Sequence, residues 1–217
     1  MYRIPRIDCN VACPASLEEA FARTVRETVA CNNWPADFPY APQVGFRIFH
    51  TGADLLLRFD IAERCTAART LDDNGPVWTD SCAEFFFRPE GSDSYYNFEC
   101  NCIGTLLVGH RRDRTQAEHA PAEVLRTVRR RATYPHAPLP ETEGDNRWTL
   151  TLAIPPQALF RHALTDWSGL KARMNLYKCG DDLSCPHYLS WRPVGTPAPD
   201  FHRPEFFEPV FFEPKKQ

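Results

Sequence analysis

The chain has 217 residues, 43% of them hydrophobic, and a formal net charge of −3 at pH 7. This length and composition exclude a disordered chain and predict a globular protein, which we take as one domain over residues 1–217. The slightly acidic charge gives no electrostatic basis for binding nucleic acid, and no stretch reaches the roughly 20 apolar residues of a membrane span, so neither partner is expected.

The first residues lack the apolar stretch of an export signal, which slightly favours a cytoplasmic location and leaves the compartment unknown. The chain has nine cysteines, an odd number, and none of them forms a C-x-x-C pair. This usage favours reduced thiols, with disulfides as the alternative in an oxidising compartment.

The first predicted element is a helix over residues 16–30. Ser16 and Glu19 have the spacing of a capping box. Apolar residues then recur at every fourth position, at Leu17, Phe21, Val25 and Val29. This period predicts an amphipathic helix that covers part of the core.

From residue 43 onward, apolar and polar side chains alternate with the period of a β-strand. A hairpin is predicted over residues 43–63, with "TGAD" as its turn. Further strands are predicted over residues 81–88, 95–102, 104–110, 128–134, 147–154, 170–178, 187–191 and 208–212. About nine strands, fifteen phenylalanines and twenty prolines favour an all-β fold, an antiparallel β-sandwich of jelly-roll or immunoglobulin-like topology with its core over about 30–213.

Polar side chains keep to one face in three of these strands. In "YYNFECNC", residues 96, 98, 100 and 102 form an apolar side, so residues 95, 97, 99 and 101 share the opposite side. The same alternation in residues 82–88 and 170–178 extends this face. Its polar members are Glu84, Asn97, Glu99, Asn101, Arg173 and Asn175.

This polar face has the chemistry of a carbohydrate site. Amides, carboxylates and guanidinium groups offer the fixed donor and acceptor geometry that sugar hydroxyls require. Trp78 and Trp191 lie at predicted strand ends, where an indole can stack on a sugar ring. The alternative is a merely solvent-facing polar sheet with both tryptophans in the core, the more common place for this residue.

Five segments resemble the family 9 carbohydrate-binding-module-like proteins: "FPYAPQVGFRIFHTGADLLLRF", "DNGPVWTDSCAEFFFRP", "YYNFECNCIGTLL", "MNLYKCGDDLSCPHYLSWRPV" and "FHRPEFF". They occur in the family's order and cover about residues 30–213. The resemblance implies a DOMON-like β-sandwich. In its sugar-binding members, two tryptophans enclose a saccharide, often at the reducing end of a chain, while polar side chains hold the hydroxyls.

Position by position, the resemblance assigns Trp78, Glu84 and Asn101 to the family motif. Asn175 and Trp191 match a later asparagine and tryptophan across a longer loop. Asn97 and Arg173 join them as further hydroxyl partners on the same face. One departure is Glu208, which stands where family members have a glycine. We therefore predict non-catalytic carbohydrate binding, with a glycoside hydrolase as a candidate partner because related modules are attached to such enzymes.

A glycoside hydrolase is the main alternative function. These enzymes place two carboxyl groups about 5–10 Å apart across the scissile bond. Glu84 and Glu99 lie on neighbouring predicted strands of one face, so they are the candidate acids.

Metal binding is a second alternative. Cys179, Cys185, His187 and His202 are zinc-ligand types but lack the close cysteine spacing of a zinc motif. The segments 71–74 and 180–182 contain aspartates suited to calcium, although neither forms an EF-hand loop. No cofactor is certain from the sequence, and structural calcium stays open. His202 and Arg203 could also reach the rim of a sugar site, or they could belong to a proline-containing segment that leads into the last strand.

Overall fold

Two stacked β-sheets make up most of the protein. The computed structural model describes residues 1–215. In chain order the strands and helices are β1 Tyr2–Ile4, α1 Pro14–Ala22, β2 Glu27–Thr28, β3 Cys31–Asn32, β4 Gln43–His50, β5 Leu55–Ala68, β6 Cys82–Pro89, β7 Tyr95–Asn101, β8 Leu106–Arg111, β9 Ala117–His119, α2 Ala122–Leu125, β10 Arg129–Ala132, β11 Leu139–Ile154, β12 Lys171–Cys179, β13 Tyr188–Ser190 and β14 Glu208–Phe212. The predicted all-β sandwich is confirmed.

The larger sheet has nine strands, with the main order β1-β14-β12-β6-β7-β8-β9, and β13 and β3 extend it beside β12. The smaller sheet has five strands in the order β10-β11-β5-β4-β2. Neighbouring strands are antiparallel except β1 and β14, which are parallel.

The main hydrophobic core lies between the two sheets. The alternation of β6, β7 and β12 sends Phe85, Phe98 and Met174 into it, where they are fully buried. They meet Phe59 and Leu152 of the smaller sheet. Burying side chains of this size contributes roughly 1.5–3 kcal/mol each, which fixes the phase of every strand in the larger sheet.

The outer face of the larger sheet is also covered, which the sequence did not predict. Phe86, Tyr95 and Tyr177 project from this face and pack against Phe201 and Phe207 of the C-terminal segment. The rings of Tyr177 and Phe201 stack with centroids 4.1 Å apart and planes 12° from parallel. The polar side chains of this face are therefore buried beneath loops instead of lying on an open sheet.

The N-terminal helix is shorter than predicted. It begins after Cys13, with Pro14 in its first turn, and ends at Ala22. The predicted capping box is wrong, because the Ser16 hydroxyl accepts a hydrogen bond from the Asn10 amide (3.0 Å) instead. Residues 27–28 form an edge strand on β4. The apolar face of the helix therefore ends at Phe21, and Val25, which was predicted to continue it, is exposed.

The remaining predicted elements occur with shifted bounds. β5 and β11 run well beyond their predicted ends, whereas β8 and β10 are shorter than expected. β10, which holds the basic run at 129–131, is an edge strand, as expected; Arg129 and Arg131 are exposed, whereas Arg130 is paired with Asp73. Within residues 1–215, no helix is long and apolar enough to cross a membrane.

Candidate functional site: a cavity on the outer face of the larger sheet

A cavity of about 280 Å³ opens on the covered face of the larger sheet. Its floor comes from β6, β7, β8 and β12, and its walls come from the loops that cover this face. The lining residues are Trp78, Glu84, Glu99, Arg111, Arg114, Cys179, Asp181, Tyr188, Pro199, Asp200, Phe201 and His202. The cavity thus combines one exposed indole, other rings and several ionisable groups.

Two carboxyl groups form the floor. Glu84 and Glu99 are directly opposite each other in the β6–β7 ladder, a register that brings Cβ atoms to about 4.5–5.5 Å. Both side chains are almost fully buried. The Cys179 thiol donates a hydrogen bond to Oε1 of Glu84 (3.0 Å), and the Asn97 amide donates one to Oε1 of Glu99 (2.7 Å).

The floor carboxyls have raised pKa values. Burial, and then the neighbouring Glu99 carboxyl, raise the pKa of Glu84 well above its ordinary value. Burial raises the pKa of Glu99 to about 7, although the Asn97 hydrogen bond opposes this shift. On the wall, burial and the nearby Asp182 raise the pKa of Asp181 to about 6. A protonated carboxyl group both donates and accepts hydrogen bonds, as a sugar hydroxyl does.

Asn97 holds Glu99 and Arg111 in place. While its amide nitrogen donates to Glu99, its Oδ1 accepts a hydrogen bond from Nε of Arg111 (2.9 Å). The carbonyl oxygen fits only because the facing residue is Gly109, where an added Cβ would lie 2.5 Å from Oδ1. Asn97 is fully buried, so it supports lining residues without lining the cavity itself.

Trp78 forms an exposed aromatic wall. It lies in a 3-10 turn, Val77–Thr79, and is 38% exposed, whereas the other four tryptophans are buried. The Trp78 carbonyl oxygen accepts hydrogen bonds from the Cys179 thiol (3.4 Å) and the Asp181 amide (3.2 Å). The backbone of Trp78 is therefore anchored to β12 and to the loop over residues 180–187.

A buried hydrogen-bond hub fixes the start of the Trp78 loop. The Asp80 carboxylate accepts bonds from the amides of Arg69 (2.8 Å) and Thr70 (3.0 Å) and from Nδ2 of Asn101 (3.0 Å). Oδ1 of Asn101 accepts a bond from the Thr105 amide (2.9 Å). Asn101 is thus positioned to hold the loop, and its side chain does not line the cavity.

The structure separates the seven predicted carbohydrate-binding residues into three groups. Trp78 and Glu84 line the cavity, and Asn97 and Asn101 hold residues around it. Three others are engaged elsewhere. Nε of Arg173 donates to the Phe207 carbonyl (3.1 Å), while the Asn175 amide bonds the backbone of Arg192 (3.1 and 3.0 Å).

Trp191 does not lie where the resemblance implies. It is buried in the core between the sheets, with edge contacts to Tyr2 and Phe46 at centroid distances of 5.1 and 5.6 Å. Its ring therefore has no open face in the cavity. The aromatic groups that share the cavity with Trp78 are Tyr188 and Phe201.

Sequence reasoning missed much of the cavity wall. Arg111 ends β8 and Arg114 follows it, whereas Asp181 lies in the long loop after β12 and Tyr188 begins β13. His202, considered as a rim residue, does line the cavity, and it hydrogen bonds the Tyr95 hydroxyl (3.0 Å). Burial lowers the pKa of His202 to about 3, so this ring is neutral at pH 7. In the sequence, the run "FHRPEFF" is the feature that points to His202.

The residues considered for zinc do not converge. Cys185 lies against Cys65, His187 hydrogen bonds Lys178, and His202 hydrogen bonds Tyr95. Within residues 1–215, a different group brings its ligand atoms within 4.8 Å of one another, Cys82, Glu84 and Cys179. The four residues considered for zinc from their types therefore do not form one site.

The segment 71–74 does not fit a calcium ion. Both carboxylate oxygens of Asp73 accept bonds from the Arg130 guanidinium (2.7 and 2.9 Å). The side-chain oxygen of Asn74 accepts a hydrogen bond from the Val108 amide (3.2 Å), and its side-chain nitrogen donates one to the Ala120 carbonyl. Calcium needs six to eight oxygen ligands, and an arginine occupies both carboxylate oxygens of Asp73 here.

The fold and cavity together define a β-sandwich module with a ligand-sized pocket on one sheet. The model of carbohydrate-binding family 9 matches residues 13–212. The chain therefore belongs to carbohydrate-binding family 9. A search among curated proteins gave no match.

Solved structures share this fold. A provisionally assigned carbohydrate-binding protein from Bacteroides uniformis is 39% identical, with a TM-score of 0.92 over 97% of this chain and 98% of that one. A family 9 module from Caldicellulosiruptor kristjanssonii in complex with glucose has a TM-score of 0.59 at 8% identity, covering 99% and 96%. Its complex with cellotriose gives 0.60 at 6% identity, covering 100% and 95%.

Proposed function

We propose that the protein binds a carbohydrate non-catalytically in the cavity beneath Trp78. The observation that carries this proposal is the pairing of an exposed indole with two buried carboxyl groups in one pocket. The indole suits the C–H face of a sugar ring, and the carboxyl groups suit its hydroxyls. Family membership and the sugar complexes of the Caldicellulosiruptor module support the same ligand class.

The dimensions of the pocket favour the end of a saccharide or a monosaccharide. A volume of about 280 Å³ lies near the lower end of the roughly 300–1,000 Å³ typical of small-molecule sites. The walls rise from loops on several sides, which suits a terminal ring better than the middle of a chain. We infer a reducing-end residue as the first ligand to test, and a glycoside hydrolase as the partner whose substrate the module would share.

In this proposal the predicted residues have two different roles. Trp78, Glu84 and Glu99 touch the sugar, with Arg111 and Asp181 as further polar contacts. Asn97 and Asn101 position these contacts. Arg173, Asn175 and Trp191 stabilise the sheet and its cover.

The Trp78→Ala protein tests the proposal. Loss of aromatic stacking beyond area burial is worth about 1 kcal/mol, so the dissociation constant should rise at least about fivefold. A glycan array first identifies the best saccharide, and calorimetry then compares wild type with Trp78→Ala. Leu71→Ala is a matched control, because Leu71 is 37% exposed, similar to Trp78, but lies outside the cavity. Equal affinities of all three proteins would contradict the assignment.

One observation favours glycoside hydrolysis as a second candidate. Hydrolases tune one carboxyl group to a high pKa, and Glu84 and Glu99 both have raised pKa values beside a cavity. However, the two acids rise side by side from one floor, whereas a hydrolase holds them on either side of the bond. Incubation with oligosaccharides decides: turnover by the wild type that is lost in Glu84→Gln and Glu99→Gln would establish an enzyme.

A further inference from the structure

A pair of cysteines lies beneath the loop over residues 180–187. Cys65 in β5 and Cys185 in this loop are buried together with Ala67 and Leu183. Their Sγ atoms are 2.6 Å apart, compared with about 2.0 Å for a disulfide bond. The two side chains thus point at each other across 120 residues of sequence, and both are free thiols in this structure.

The Arg64 guanidinium contacts one sulfur of this pair. Its Nη2 and Nε lie 2.6 and 3.0 Å from the Cys185 sulfur. Reactive cysteines lie in electropositive surroundings, and this guanidinium places a positive charge beside the pair. The Arg64 side chain is 56% exposed and the partly buried Tyr40 packs on the same cluster, so the pair lies just beneath the surface.

We propose that Cys65 and Cys185 form a reversible disulfide by exchange with a low-molecular-weight disulfide of the glutathione class. The Cys185 thiolate attacks one sulfur of the reagent, a mixed disulfide forms at Cys185, and one thiolate leaves. The Cys65 sulfur then attacks the Cys185 sulfur and displaces the second thiolate. Two protein thiols are oxidised, the reagent is reduced to two thiols, and these take up the two protons.

The bond would pin one wall of the cavity to the smaller sheet. The loop that carries Cys185 also carries Asp181, which lines the cavity. The amides of Asp181 and Asp182 donate to the carbonyls of Trp78 and Thr79 (both 3.2 Å). A link from Cys185 to β5 therefore shortens the free length of the segment that holds the Trp78 turn.

Thiol counting and peptide mapping of the native protein test the bond directly. The protein is equilibrated in mixtures of oxidised and reduced glutathione, alkylated and digested, and the peptides are identified by mass spectrometry. We expect a peptide pair linked through Cys65 and Cys185, with seven of the nine cysteines still alkylated. Nine alkylated cysteines at every ratio, a persistent glutathione adduct at Cys185, or a Cys82–Cys179 link instead would each overturn the proposal.

Thermal unfolding provides a second readout. A disulfide that closes so long a loop should raise Tm by roughly 5–15 °C in the oxidised protein relative to the reduced one. This difference should vanish in Cys185→Ser and persist in Cys31→Ser, whose half-buried sulfur contacts only the Trp191 carbonyl. Hydrogen exchange of the Asp181 and Asp182 amides should slow on oxidation. A Tm independent of redox state in the wild type, or equal redox shifts in all three proteins, would contradict it.

Discussion

At the residue scale, two tryptophans to which the resemblance gives one role differ in burial. Trp78 and Trp191 both stand at the ends of strands, and the resemblance gave them the same role. Trp78 remains exposed because its 3-10 turn lies at the rim, whereas β12 and β13 carry Trp191 inward against Phe46 of the other sheet. Local periodicity cannot distinguish these outcomes, because burial of an indole depends on which distant strand faces it.

Strand alternation correctly predicts the face of β7 on which Glu99 lies. Glu99 and its neighbour Phe98 point to opposite faces of β7, as strand alternation requires, and Phe98 lies in the core. What periodicity could not indicate is that the acidic side is covered. That cover comes from Phe201 and Phe207, about 100 residues later in the chain, and it converts a surface carboxylate into a buried one with a raised pKa.

Glu99 should make the protein less stable as the pH rises. Its pKa is about 7 in the folded protein, above the ordinary value for an unfolded chain, so the folded state binds more protons between about pH 4.5 and 7. Its contribution to the free energy of unfolding therefore falls across this window and is constant above it. In Glu99→Gln this dependence disappears, because the amide does not titrate.

Urea unfolding at pH 5 and pH 8 measures this effect as a difference between proteins. Relative to wild type, Glu99→Gln should gain on the order of 2–3 kcal/mol between these pH values. The comparison is needed because buried His187 and His202, whose pKa values burial lowers to about 3, favour stability at higher pH. Glu90→Gln, an exposed site, is the control. A pH-independent difference would show that Glu99 is ionised throughout.

At the scale of elements, the loop from β5 to β6 is held by a buried polar hub in addition to the apolar packing of Val77. Asn101, at the end of β7, reaches this loop through Asp80 and Thr70. The resemblance assigned Asn101 to the sugar, whereas the contacts make it the residue that sets where Trp78 stands. Sequence alone could place Asn101 on the correct face of its strand but could not show which loop lies over it.

Asn101→Ala should therefore be costly for stability. The substitution removes a donor to Asp80 and the acceptor for the Thr105 amide, both buried, and each unsatisfied group costs about 1–3 kcal/mol. We expect a loss of about 2–4 kcal/mol in the free energy of unfolding by urea. Asn10→Ala removes a comparable acceptor, for the Ala12 amide, in an exposed turn and should cost less than about 1 kcal/mol. Equal effects of the two changes would refute the hub.

At the scale of the whole molecule, a buried ion pair joins the two sheets near the cavity. Lys178 of β12 and Glu63 of β5 meet between the sheets, with Nζ and Oε2 2.7 Å apart and both side chains fully buried. Trp148 and Thr66 also donate to Glu63 (2.7 and 3.0 Å). Nζ of Lys178 donates to Nε2 of neutral His187 (2.7 Å), the last residue of the loop that holds the cavity wall.

The pKa of Glu63 is consistent with an ionised carboxylate in this pair. Burial alone would raise this pKa, but Lys178, His187 and the hydrogen bonds to the carboxylate together lower the net pKa. Burial, and then Lys178, lower the pKa of His187 to about 3. The alternation of apolar and polar residues in β12 does not predict this pair. Lys178 occupies an inward position after Met174 and Leu176, where an apolar residue is usual.

Removing both partners of this pair should cost clearly less than the two single removals added together. Lys178→Met leaves a buried carboxylate without its counter-charge, and we expect a loss of about 3–5 kcal/mol in the free energy of unfolding. Glu63→Gln keeps an acceptor for Trp148 but leaves the ammonium unpaired, with a similar loss. In the double variant no buried charge remains, so its loss should be clearly smaller than the sum of the two single losses.

An exposed pair gives the matched control for this cycle. Arg147 and Asp145 are 3.1 Å apart with about 70% of each side chain exposed, and Arg147→Met should cost less than about 1 kcal/mol because solvent screens such pairs. Denaturant unfolding of all variants at one pH and salt concentration measures the coupling. Additive losses for Lys178 and Glu63 would mean that the sheets are joined by apolar packing alone. A large coupling would show that the two charges stabilise the contact between the sheets as a pair.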